Sequence, residues 1–87
     1  MPNIAKAHTP EPLDQQRIDD AVLALLALGL HDGNRVWKSF DWAALDRLHA
    51  RGLISAPATA AKSVVISEEG LAQALALQQR LFGRAGQ

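Results

Sequence analysis

Residues 21–30, AVLALLALGL, constrain this chain most, because their apolar side chains run around a helix instead of along one stripe. From Leu13 the spacing is helical, with Asp14 at the start and Ile18, Val22, Leu25 and Gly29 recurring at threes and fours. At about 100° per residue, Leu23, Leu26 and Leu30 form a second ridge flanked by Ala21 and Leu28, so the apolar arc reaches roughly 220° where ~100° is usual. Two readings stand. Either the rest of the chain wraps a central helix, or Leu23, Leu26 and Leu30 meet a second protomer or another protein. A membrane is not an expected partner, since this apolar run has ten residues and a span needs about 20.

A chain of 87 residues has room for one core, and such a core contributes only about 3–5 kcal/mol net unless something else supports it. The sequence has no cysteine, and its three histidines, His8, His31 and His49, show no paired-ligand spacing. No metal or cofactor is expected, and association with a second copy is the expected support. Nine basic residues balance nine acidic ones, which removes the simplest argument for nucleic acid, because neutralising many phosphates takes a basic excess. The charge is uneven: in residues 1–30, Lys6 and Arg17 stand against Glu11, Asp14, Asp19 and Asp20, leaving the remainder mildly positive. Residues 1–12, broken by Pro2, Pro10 and Pro12, show neither periodicity nor a secretory pattern. They read as a mobile tail, and the protein as cytoplasmic.

Residues 31–40 read as a turn followed by a short extended or single-turn segment. Ser39 or Asp41 then caps a second helix that runs to about Arg51, with Gly52 as its stop and Trp42, Leu45 and Leu48 pointing inward. His49 falls at the edge of that face, as a hydrogen-bonded boundary residue. Leu53, Ile54 and Ser55 pair with residues 63–66 across a small-residue loop, a hairpin signal. Ser67 caps the last helix, with Glu68 and Glu69 at its positive end. Leu71, Leu75 and Phe82 form its core stripe and Leu77 and Leu81 a second ridge. Gln78 sits at the rim, or between two subunits. The expected fold class is mainly α with one small β-hairpin, a reduced winged-helix-like domain over residues 13–83: helix, turn, helix, β-hairpin, helix. Residues 84–87 are expected to fray.

The run Leu45…Leu48…Arg51-Gly52-Leu53-Ile54…Val64-Val65-Ile66-Ser67-Glu68-Glu69-Gly70-Leu71 resembles the recognition helix, wing and following helix of MarR-like winged-helix regulators. A more specific likeness lies in His31-Asp32-Gly33-Asn34-Arg35-x-Trp37-Lys38-x-Phe40-Asp41-Trp42, followed by Gly52-Leu53-Ile54-Ser55 and Lys62-Ser63-Val64-Val65. Over about residues 15–75 this is similar to a family of small bacterial proteins of unknown function with a Trp-Lys-x-Phe-Asp-Trp core. The resemblance implies a bacterial origin and a stand-alone domain, and it supplies no activity.

Function must then be read from the residues. Arg35, Trp37, Lys38, Phe40 and Trp42 are the candidate partner-binding cluster, since aromatic and cationic side chains concentrate at binding hot spots. The plain alternative is that Phe40 and Trp42 plug the core while Asp41 caps a helix. Trp37 is expected to be partly exposed, stacked by Arg35 or Lys38. Leu23, Leu26, Leu30, Leu77 and Leu81, on the first and last helices, are the candidate homodimer surface. Under the alternative function, a DNA-binding regulator, Lys38, Arg47, Arg51 and Lys62 would contact DNA, although Asp41 and Asp46 oppose the phosphates and only about ten residues separate Leu30 from Asp41. No nucleophile elbow or phosphate loop is present, and Ser39, Asp41 and His49 are not at a spacing that demands a triad. The expectation is a non-catalytic protein-interaction module.

Overall fold

Asp14 opens the ordered chain by accepting the backbone N–H groups of Gln16 (2.9 Å) and Arg17 (3.3 Å), which nucleates helix α1 (Gln15–Leu28). The structure, a computed structural model, describes residues 12–84. Apart from Pro12 and Arg84, the expected tail over 1–12, with His8, and the fraying over 84–87 lie outside the described residues.

Helix α1 is gripped from two sides, by α2 (Trp42–Ala50) and more extensively by α3 (Glu68–Phe82). This grip decides between its two apolar ridges. Leu23, Ala24 and Leu26 are fully buried and Val22 and Ala27 nearly so, whereas Leu25, Leu28 and Leu30 face solvent. The expectation that Leu23 and Leu26 meet a second copy is therefore corrected: the chain's own helices cover them. Leu25, on the same apolar face as Ile18 and Val22 by its spacing, lies on the open side. On α3, Leu77, expected at the dimer surface, is buried with Ala74, and Leu75 and Phe82, expected in the core stripe, are exposed, as is Leu81. Gln78 donates from Nε2 to the Ala24 carbonyl (3.0 Å), so it ties α3 to α1 within one chain.

The sheet has two strands, β1 (Arg35–Trp37) and β2 (Ser63–Val65), antiparallel with Val36 opposite Val64. The fold class is thus the expected one, mainly helical with a small antiparallel β element. The expected pairing of Leu53–Ser55 with 63–66 survives as one bridge, Ile54 to Ile66, and the Ser55 N–H bond to the Val65 carbonyl (2.8 Å). The full ladder is made instead by Arg35–Trp37, brought back by a tight turn. His31 and Arg35 exchange both backbone hydrogen bonds (2.9 Å each) across it, with Asp32 and Gly33 at φ 48° and 83°.

Helix α2 starts where Asp41 accepts the Ala44 N–H (3.1 Å) and stops at Gly52, φ 76°. There the N–H groups of Gly52 and Leu53 return to the carbonyls of His49 (2.9 Å) and Leu48 (3.0 Å), a Schellman ending. Gly52→Ala, forced into the left-handed region, should lower stability by about 1 kcal/mol. The check is a shift in the urea midpoint with an unchanged slope. Ser67 then accepts the Gly70 N–H (2.9 Å) and donates its hydroxyl to the Gly52 carbonyl (2.8 Å), locking the start of α3 to the end of α2. Among the described residues, no helix is long and apolar enough to cross a membrane.

Candidate functional site

Alternation along β1 sends Val36 into the core and leaves Arg35 and Trp37 on the outer face. Trp37 is 51% exposed, yet it is held on two sides. Its ring stacks on His31, with centroids 4.1 Å apart and planes 19° from parallel. Its edge lies over the end of α1, so close that a Cβ on Gly29 would touch Trp37 Cδ1 at 3.4 Å. His31 is in turn fixed through Nδ1, which donates to the Gly29 carbonyl at 2.8 Å. The stacking partner of Trp37 is therefore His31, which corrects the expectation of Arg35 or Lys38.

Trp42 opens α2 and is 53% exposed, where the sequence pattern placed it inward. The first turn of α2 buries Ala44 and Leu45 instead, which swings Trp42 out. Lys38 Nζ lies 5.6 Å from its ring centroid, a cation–π contact. That ammonium also donates to the Pro57 carbonyl (2.6 Å), the Thr59 carbonyl (2.9 Å) and the Thr59 hydroxyl (3.3 Å). Lys38 thus clamps the loop that follows α2, and its three donors are used within the chain. Arg35 is likewise engaged, with Nε on Ser63 Oγ (2.8 Å) and Nη2 on the Ser63 carbonyl (3.1 Å).

Between the two indoles and the loop runs an open groove of about 430 Å³, lined by Trp37, Trp42, Lys38, Lys62 and Thr59 among others. A second hollow of about 220 Å³ adjoins it, walled by Leu25, Leu26, Gly29, Trp37 and Phe40. Trp37 and Ser39 belong to both. Of the expected partner-binding residues, Trp37, Lys38 and Trp42 share the larger groove, half-buried Phe40 lies in the smaller, and Arg35 lines neither.

The cations expected to meet DNA fall in two pairs, Arg47 and Arg51 along one hollow and Lys38 and Lys62 along the tryptophan groove. Arg47 forms a forked pair with Asp19, Nε to both carboxylate oxygens (3.1 and 2.8 Å) and Nη2 to Oδ1 (2.8 Å). Asp19 is 3% exposed. Hydrogen bonding to Asp19 raises the Arg47 pKa, opposed by burial and reinforced by the charges of Asp19 and Asp41. Arg47 is a structural counter-ion between α1 and α2, and Lys38 a loop clamp. Arg51 lines a hollow with Gln16, Asp20, Gln73 and Arg80, away from Lys62 in the tryptophan groove. Asp41 caps α2, and His49 Nδ1 donates to the Ile54 carbonyl (3.1 Å), as expected of a boundary residue.

Two residues with decisive roles escaped the sequence reading. Asp19 had a readable signal: it precedes Leu23 by four positions and Leu26 by seven, so a carboxylate stood on the ridge that proves buried. His31 had none, since its contact with Trp37 depends on the turn between them.

Residues 14–84 match a family described as a domain of unknown function (DUF6429). An uncharacterised protein of Sinorhizobium fredii is 54% identical over 72 residues, which cover 83% of this chain and 97% of that protein. No solved structure matches.

Proposed function

From the premise that the chain belongs to this bacterial family of domains of unknown function, which names no activity, we propose that it is a non-catalytic protein-binding module. Its docking surface is the groove between Trp37 and Trp42. The observation that carries the reading is the exposure of both indoles, each more than half open, in the lining of one groove. Exposed tryptophans forgo hydrophobic stabilisation, and fixed ones are suited to bind, because little side-chain entropy is left to lose. The His31 stack supplies that fixing for Trp37, and the Lys38 contact for Trp42.

Engagement of Arg47 and Lys38 within the chain also supports a protein partner over DNA, since two of the four candidate cations are occupied. The working unit is proposed to be one chain, because Leu23 and Leu26, central to the ridge expected to join two copies, are spent in its own core, and its proposed location is the cytoplasm.

The test compares Trp37→Ala and Trp42→Ala with the native protein as baits. Both half-exposed side chains can be truncated at a cost of about 1 kcal/mol each, so the melting temperature should fall by about 4–8 °C while the fold persists. Recovery of a partner from bacterial extract should fall by about tenfold or more. Equal recovery by all three baits would contradict the proposal.

A further inference from the structure

We infer that the occupant of the tryptophan groove is an extended, acidic segment of another protein, an inference that rests on the protein-docking reading above. The lining of the larger groove holds two cations, Lys38 and Lys62, and no carboxylate. Their roles differ. The Lys38 ammonium spends its donors on Pro57 and Thr59, so it contributes a fixed positive field without a free donor. Lys62 is exposed, and its ammonium makes no hydrogen bond or ion pair among the described residues. It is the group that meets an incoming carboxylate.

The shape argues for an extended occupant. The two hollows lie side by side with Trp37 as a common wall, one rimmed by lysines and the other apolar. A strand-like segment crossing Trp37 sets successive side chains down on alternate sides of the ring, an apolar one against Leu25 and Phe40 and an acidic one toward Lys62. Single-stranded nucleic acid would also stack on indoles, but it needs cations along its backbone. Here, among the described residues, a single ammonium is free at the groove.

The experiment selects binders from a display library of short random peptides, using the native protein and the double variant Trp37→Ala/Trp42→Ala in parallel. Peptides taken only by the native protein should be enriched in Asp or Glu beside an apolar or prolyl residue. Binding of the strongest, followed by fluorescence anisotropy, should weaken about tenfold in Lys62→Glu and hold in Lys62→Arg. If the peptides need the tryptophans, show no acidic enrichment and ignore Lys62→Glu, the acidic partner is overturned while the docking reading stands. If no peptide distinguishes native protein from double variant, both fall. Quenching of the indole fluorescence by oligothymidylate, at concentrations where the selected peptides have no effect, would replace the peptide by single-stranded nucleic acid.

Discussion

Gly70→Ala should cost about 3 kcal/mol, the largest loss expected from any single methyl group in this chain. Gly70 lies in the first turn of α3, where its N–H bonds to Ser67 and its Cα faces the Leu53 backbone. An added Cβ overlaps the Leu53 carbonyl oxygen and comes within 3.0 Å of the Leu53 carbonyl carbon and 3.1 Å of Ile66 Cγ1. Leu53 cannot retreat. Its N–H is bonded to the Leu48 carbonyl (3.0 Å), its own carbonyl accepts from Ser67 N–H (2.9 Å), and its side chain is buried. Relief therefore requires α3 to pull away from the end of α2 and breaks the Ser67 lock. Helix propensity alone predicts the opposite sign, a gain of about 1 kcal/mol for alanine over glycine. A urea titration separates the two: a lowered midpoint confirms the close approach, and a raised one means that α3 does not dock there.

Arg47→Ala is the second large effect, with the melting temperature expected to drop by roughly 10–20 °C. The loss comes from Asp19, left as a buried carboxylate without its guanidinium. Arg51→Ala, one turn away and held only by a 3.3 Å contact with Gln73, should shift the melting temperature by only about 2 °C. Removing both members of the pair, as Asp19→Leu with Arg47→Met, should recover most of the loss, because an apolar pair leaves no buried charge. Retention of full stability by Arg47→Ala would mean that Asp19 finds water. The pH dependence follows in sign. A pKa raised on folding adds stability below the unfolded value and loses it only as pH climbs through the folded one. On the arginine side, the contribution is thus constant through acid and neutral solution and fades only in strong alkali.

What was legible in the sequence divides by range. The caps at Asp14, Asp41 and Ser67 and the stop at Gly52 are set by residues within a turn of each other, and the spacing shows them directly. The covered side of α1 is not a local property. Both ridges are apolar, and only packing against α2 and α3 chooses Leu23 and Leu26 over Leu25 and Leu28. Strand β1 is three residues long, too short to announce itself, and pairs with β2 across the whole of α2.

The candidate site follows the same division. The exposure of Trp37 was readable from its place in a polar turn segment. The tasks of Lys38 and Arg35 were not, because Pro57, Thr59 and Ser63 lie 19, 21 and 28 positions away from them. A cation near a tryptophan looks available for binding until the chain's own carbonyls are found around it.

If another protein docks in the groove between Trp37 and Trp42, a photoreactive side chain placed there should capture it. Site-specific photo-cross-linking in the living bacterium tests docking most directly, with Trp37→benzoylphenylalanine and Trp42→benzoylphenylalanine compared with the same replacement at the exposed Leu75 on α3. Docking in the groove should give one discrete adduct, to a different protein, shared by positions 37 and 42 and missing at 75. No adduct at either tryptophan position, or the same adduct at all three, would contradict it.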